Sequence, residues 1–471
     1  MTKTRKGEVK PDPMKRSVLR DDYAGPFDPD WTLADLSRQA LCVLGRETLL
    51  LGHLVDRVGQ PLALQRFGEE TQIQIAIEEW MAASPIYSRR LQQALGFEGH
   101  DVETVFKNLQ FEIGAPQQFM DFQFRLDSPE SGEFWLPHCG ALLDIEPFGE
   151  KKVKLMCHDI EDPTFDATAA ATHPRMKMRP IHRPPREPQG RYPHCRWRVF
   201  LDEESAPYEH HPNLERVRAT KLASIPIVLP ETETETEVDT EAATQTEADA
   251  DAIAEPGGWP DYSGPFDPGA QHEDFSHRAL LILNQEAAVQ THLLVRAFML
   301  AVADRAGDEV ATEIGRRTWT GSAALAARRV ARAMKVEGGG IEAVAKVFQL
   351  LPHFQPRSYV DLRVERTGDD SARLSIRDCP ALQEGDVYSW LADLGPASHP
   401  ALDAICQAVE PRARCRPVAQ PGDVQQEDAR LAWDVVVDPN AEPQPEPQLL
   451  RLARLSRGAD FELMQRRPLR R

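Results

Sequence analysis

Several things are scarce in this sequence, and each scarcity excludes something. Seven cysteines in 471 residues are too few, and odd in number, for a disulfide framework. Met1 to Arg20 is polar and basic, without the apolar stretch a secretory leader needs. No apolar run approaches eighteen residues, so no membrane span is expected. These features together suit a reducing, cytoplasmic setting. Positive charge is also short: 55 Lys and Arg stand against 74 Asp and Glu, a net −19, which argues against nucleic acid and anionic membrane as partners. Gly338-Gly339-Gly340 lies between helical segments rather than after a strand, so it reads as a turn and not a phosphate loop. Gly-x-Ser-x-Gly and His-Glu-x-x-His are absent, which removes serine-hydrolase elbows and zincin chemistry.

What the chain does have is a repeat. Asp22-Tyr23-Ala24-Gly25-Pro26-Phe27-Asp28-Pro29 returns as Asp261-Tyr262-Ser263-Gly264-Pro265-Phe266-Asp267-Pro268, an offset of 239. Ser37, Glu47, His53, Arg57, Trp80 and Glu103 match Ser276, Glu286, His292, Arg296, Trp319 and Glu342 at the same offset. With small gaps, Cys139, Arg179, Trp197 and Asp202 meet Cys379, Arg416, Trp433 and Asp438. The chain is a tandem duplication.

The expected organisation is an arm (1–20), a first unit (21–229), an acidic linker (230–257), a second unit (258–440) and a Pro-rich, then basic, tail (441–471). Residues 231–255 hold ten acidic groups and no basic one, a self-repelling composition with little to bury. Each unit opens with helices; apolar residues from Trp31 to Val58 recur mostly at helical spacing. Phe119 to Leu126, a turn cluster and Phe134 to Pro137 predict a hairpin. Alternation predicts a strand through Val153, Leu155 and Cys157, then strands at Met176 to His182 and Cys195 to Leu201. The fold class is therefore α+β: two copies of a helical half followed by an antiparallel sheet of four or five strands. The shared lead-ins are expected to dock onto the core, His53 and Arg57 to form a buried network or the contact between units, and the tail to lie on the surface or dock a protein partner.

Soft ligands concentrate between Phe134 and Asp202. His138-Cys139, Cys157-His158-Asp159 and His194-Cys195 each pair a cysteine with a histidine. Strand parity puts Cys157, Asp159 and Cys195 on interior faces and turns His158 and His194 away. Cys139, Cys157 and Cys195, with His138 or His194, are the candidate ligands of a divalent metal, zinc or iron; a three-ligand shell leaves a position for an activated water. Asp159, Asp166 or His158 would move protons there. Alternatively, a histidine-activated cysteine is the nucleophile, or the thiols are buried structural residues. The second copy keeps only Cys379, so the chemistry belongs to the first unit.

The order of helices, hairpin, Cys139 before a short helix, Cys157 two residues before Asp159, and Cys195 on a late strand resembles the L-2-amino-thiazoline-4-carboxylate hydrolase-like family, itself similar to 4-vinyl-reductase-type ligand-binding domains. The resemblance covers about residues 31–202 and, more weakly, 270–438. It implies a cysteine-bearing pocket near the sheet and hydrolysis of a C–N bond in a small, possibly heterocyclic, substrate. The alternatives are a pseudo-dimeric protein that binds a small molecule or a metal without turning anything over, and an accessory subunit of an enzyme complex.

Overall fold

The computed structural model describes residues 19–229, 257–418 and 429–465. The expected linker (apart from residue 257), most of the N-terminal arm and the basic end of the tail lie outside the described residues. The fold is α+β with two separate four-stranded antiparallel sheets, as the sequence pattern implies.

Unit 1 opens with α1 (Arg38–Leu54), α2 (Asp56–Phe67), α3 (Glu69–Ala94) and α4 (Val102–Leu109). A hairpin follows, β1 (Gln123–Ser128) and β2 (Ser131–Leu136), then α5 (Gly140–Ile145), α6 (Glu150–Lys154), a π-helical turn Leu155–Ile160 and α7 (Glu161–Ala170). Strands β3 (Met176–His182) and β4 (Cys195–Leu201) complete the sheet, and α8 (Pro212–Arg218) leaves it. Unit 2 repeats the plan with α9 (His277–Ala306), α10 (Asp308–Ala333), α11 (Gly340–Leu350), β5 (Leu362–Gly368), β6 (Ser371–Arg377), α12 (Pro400–Val409), β7 (Ala413–Pro417), β8 (Ala429–Val437) and α13 (Gln448–Ala453). The strand orders β1-β2-β4-β3 and β5-β6-β8-β7 are the same, which is compatible with duplication.

The local causes also repeat. Ser37 caps α1 by accepting the Ala40 N–H, and Ser276 caps α9 by accepting that of Ala279. Gly68 and Gly307, 239 residues apart, both turn at positive φ (81° and 82°) between two helices, where a side chain would be strained. One difference matters later. Unit 2 runs a single helix, α9, where unit 1 breaks into α1 and α2 just before Asp56. By length and composition α9 resembles a membrane span, but 94% of its apolar window is buried, so it is the central helix of the core.

One sequence expectation needs correcting. Residues 153–157 are not a strand: they belong to the helical run from Glu150 to Ala170. Val153, Cys157, Glu161 and Phe165 are spaced four apart, so the apolar alternation that suggests a strand also satisfies one helix face. The interior parity inferred for Asp159 therefore fails, and Asp159 is exposed.

Each lead-in docks on the opposite unit. The Tyr23 hydroxyl donates to Gln349 Oε1 at 2.7 Å, and the Tyr262 hydroxyl donates to Gln110 Oε1 at 2.8 Å. The Phe27 N–H donates to Glu342 and the Phe266 N–H to Glu103, both at 3.1 Å. Lys346 lies over the Tyr23 ring and Lys107 over that of Tyr262. Both tyrosines are buried, worth roughly 1.5–3 kcal/mol each by area. The C-terminal extensions cross over as well. Glu384 of unit 2 accepts the Lys221 and Leu222 N–H groups of unit 1, and Asp144 of unit 1 accepts the Ser456 hydroxyl and Arg457 N–H of unit 2.

Two buried ion pairs close the seam. Arg329 grips Glu47 at 2.7 and 2.9 Å, and Arg90 grips Glu286 at 3.1 and 2.6 Å. The same arginines donate to carbonyls of the extensions, Arg329 to Gly458 and Ala459, Arg90 to Ala223 and Ile225. Removing one partner strands a buried charge, so Glu47→Ala is expected to cost about 3–5 kcal/mol in urea unfolding. Cleaving the chain between residues 230 and 256 is expected to leave both halves in one sedimenting species that unfolds in a single transition.

Candidate functional site

Three elements bring the expected cysteines together. Cys139 caps α5: its Sγ accepts the Leu142 N–H at 3.3 Å. Next to it, a Cβ on Gly140 would lie 2.2 Å from the Phe119 ring, so only glycine fits. Cys379 occupies the matching N-cap position before the turn Pro380–Gln383, without a side-chain cap hydrogen bond of its own. Cys157 lies in the π-helical turn, and Cys195 opens β4 opposite Leu136. All three are buried free thiols. They line one cavity with Glu161, His194 and Trp197.

That cavity is small, about 10 Å³, room for one water at most. Burial pushes the Cys139 thiol up to about 12 and raises those of Cys157 and Cys195 well above their ordinary value. A thiol so protonated is a poor nucleophile at neutral pH. Burial also lifts the Glu161 carboxyl to about 8, against the pull of Arg183. The cavity is therefore lined by neutral groups at pH 7. Among the described residues no group of three or more His, Cys, Asp or Glu side chains is arranged to hold a metal ion. The donor set suits zinc or iron in kind but not in arrangement, and no step is derived through a metal.

The remaining candidates have other roles. His158 Nε2 donates to the Pro184 carbonyl at 2.7 Å, tethering the loop that covers the cavity. Arg186 with Glu146, and Arg183 with Asp162, tie down the same loop. Asp166 is fully engaged: it takes both arms of Arg179 at 2.7 and 2.9 Å and accepts the Met178 N–H at 3.1 Å. Asp403 accepts the Cys415 N–H in the same way, so this clasp between helix and strand belongs to both units. His138 stands outside the cavity, its ring 6.4 Å from His194 and 6.0 Å from Phe461 of the C-terminal extension. His53 meets Arg57, which pairs with Asp144, inside unit 1.

A second, larger space lies beside the first. A cleft of about 280 Å³ opens where the unit 1 hairpin faces the unit 2 segment Pro268 to Gln271. Phe122, Phe124, Trp135 and Leu109 form its apolar walls, and Gln110, Gln117, Gln118, Gln123 and Gln271 supply amides. Met120 and Phe122 line both the cleft and the thiol cavity. Most of these amides are engaged, for example Gln123 by the Trp135 indole and Gln118 by Met464, but Gln117 Oε1 is buried without a partner. Among the described residues no charged side chain lines the cleft.

Sequence reasoning missed Glu161, and helical rather than strand spacing from Cys157 would have found it. It also missed the cleft, which no single segment encodes. Compared with protein families, with curated proteins and with solved structures, the chain matches none.

Two outcomes follow. Asp166→Asn is expected to lower unfolding stability by about 1.5–3 kcal/mol, the worth of hydrogen bonds to a charged group. In a native thiol assay with a chromogenic disulfide at pH 8, Cys139, Cys157 and Cys195 are expected to react only after unfolding.

Proposed function

We propose that the protein is a non-catalytic, small-ligand-binding pseudo-dimer whose ligand occupies the cleft between the unit 1 hairpin and the unit 2 lead-in. The observation that carries this reading is the wall of that cleft: both units contribute, aromatic surface faces amides, and there is no charge. Sites of this kind cluster at domain junctions and combine an apolar body with few polar contacts. The ligand is accordingly compact and uncharged, with a planar apolar body and an N–H or O–H to satisfy Gln117 Oε1. Among the described residues a carboxylate would meet no cation in this cleft, which sets it apart from the substrate named in the resembling family. Binding is favoured over hydrolysis because Asp159 is exposed, Asp166 is held by Arg179, and the thiol cavity has no room for an organic substrate.

N-phenylnaphthylamine and its anionic counterpart anilinonaphthalene sulfonate separate the terms. The neutral probe is expected to bind with a rise in fluorescence, and the sulfonate at least about tenfold more weakly, since burying an unpaired charge is costly. Gln117→Met should weaken the neutral probe by about tenfold, the loss of one buried hydrogen bond. Equal binding of both probes, or none of either, sinks the proposal.

A further inference from the structure

The helical half of unit 1 contains a buried polar centre that unit 2 lacks. Asp56, Glu79, Ser84, Tyr87, Ser88, Asn108 and Glu112 are all buried. At the offset of 239 their counterparts are Val295, Thr318, Ala323, Ala326, Ala327, Val347 and Leu351. Unit 2 thus builds the same helices around an almost wholly apolar set. Burying polar groups costs stability unless each is satisfied, so a centre that the fold can do without calls for another explanation.

Its geometry forms one connected stripe. Gln60 Nε2 donates to Glu79 Oε2 at 2.6 Å, and Glu79 lies beside the carboxyl of Asp56, which accepts the Trp80 indole N–H at 3.2 Å. At the other end, Glu112 Oε2 accepts from Ser88 at 3.4 Å and from Asn108. Gly114 is the meeting point: a Cβ there would lie 3.2 Å from Glu112 Oε1, 3.3 Å from the Trp80 ring and 3.5 Å from the Tyr87 hydroxyl. The Tyr87 hydroxyl and Ser84 Oγ, on wholly buried residues, have no partner, and neither has Glu79 Oε1. The turn that carries Glu112 and Gly114 continues into Ala115 and Gln117 of the cleft.

We infer that this centre is a proton-binding site of unit 1, and that its proton occupancy sets the turn from Gln110 to Gln117 and hence the affinity of the cleft. The second clause rests on the cleft being a ligand site; the first does not. Of the other titratable groups, Tyr87 from α3 faces Glu112, His53 from α1 meets the adjoining Ile113 backbone, and Asp56 from α2 and Glu79 from α3 face each other at the other end. Of the nearby cations, Arg57 pairs with Asp144 and touches His53, and its charge draws Asp56 down against burial, while Lys107 turns to Glu103 and Gly264. From α9, Gln290 accepts the Ile113 N–H, a neutral contact. Burial is therefore the largest influence on the site, opposed at Glu112 by the Ser88 hydrogen bond. It lifts the Glu112 carboxyl from 4.5 to about 8 and raises Glu79 well above its ordinary value, with the Asp56 charge adding to it. The folded chain thus keeps a proton on Glu112 that the unfolded chain releases near pH 4.5. The stability this confers is fully present below that pH and is lost as pH rises through about 8.

The test compares the full-length protein with Glu112→Gln, a permanently neutral replacement, and with Glu112→Leu, the residue unit 2 carries. Urea unfolding midpoints between pH 5 and pH 9 should fall in the wild type, with a slope smaller by one proton in both variants. N-phenylnaphthylamine affinity should drop in the wild type by about tenfold per pH unit above about pH 8 and stay level in Glu112→Gln. Identical pH slopes of stability in all three proteins overturn the proton site. A smaller slope in the variants, with probe binding absent at every pH, upholds the proton site and overturns the cleft reading alone. A smaller slope with probe affinity still falling in Glu112→Gln overturns the link between the two.

Discussion

Two buried arginine–carboxylate pairs, Arg329 with Glu47 and Arg90 with Glu286, hold the rest of this structure in place. Each arginine also grips the C-terminal extension of its own unit, so one side chain fixes a helix across the seam and the chain that leaves the sheet. Such pairs contribute little net stability compared with apolar residues of the same shape, because both charges must leave water. What they contribute is register. A guanidinium that must satisfy a carboxylate and two carbonyls together admits one relative placement of the helices. The exchanged lead-ins act in the same sense, since the Tyr23 and Tyr262 hydroxyls, besides bonding within their own lead-ins, each donate to a glutamine of the other unit. Neither unit completes its own burial, which makes the duplicated chain a covalent pseudo-dimer rather than two beads on a linker.

Much of this was legible in the sequence, and the misses have physical causes. The repeat of Tyr-x-Gly-Pro-Phe-Asp-Pro announced two equivalent units, and the order of helices before strands announced the fold class. Docking across the seam was not legible, because a buried tyrosine looks alike whichever unit it packs on. The matched pair Glu47 and Glu286 was noted, but not Arg90 and Arg329 at the same offset; a charge retained in both copies together with its opposite charge is the signal that pointed to the seam. The segment from Val153 to Phe165 satisfied two periodicities at once, and only the tertiary setting selects the helix. That ambiguity placed Asp159 inside and overlooked Glu161. The convergence of Cys139, Cys157 and Cys195 survives the error, because helix and strand both bury Cys157.

The two interior spaces of unit 1 differ in kind. The thiol cavity is small, and a loop that His158 and two arginine–carboxylate pairs secure lies against it. The cleft is larger, lined among the described residues by no charged side chain, and built partly from the second unit. They share Met120 and Phe122, an unbranched thioether and an aromatic ring, side chains that repack readily. A ligand in the cleft would press on this shared wall, so the cysteines are placed behind the ligand rather than exposed to solvent.

Duplication makes one kind of argument available that a single domain does not offer. Where both units keep a costly feature, such as the Asp166 and Asp403 clasps or the cross-seam arginines, the fold itself accounts for it. Where only unit 1 keeps one, the fold does not, since unit 2 demonstrates an adequate apolar alternative at the matching positions. By that criterion Cys379, the retained counterpart of Cys139, belongs to the architecture: both cysteines stand at the N-cap position of the element that follows the hairpin, although only Cys139 bonds the backbone there through its sulfur. Cys157, Cys195 and the buried stripe from Asp56 to Glu112 do not. They gather in the one unit that also supplies most of the cleft, and the break between α1 and α2 falls beside Asp56, where unit 2 runs straight through. Unit 2 has departures of its own, the buried Cys406 and Cys415 and the packed rings of His292, His353 and Trp390, so the two units fill one shared plan with different interiors, polar in the first and aromatic in the second.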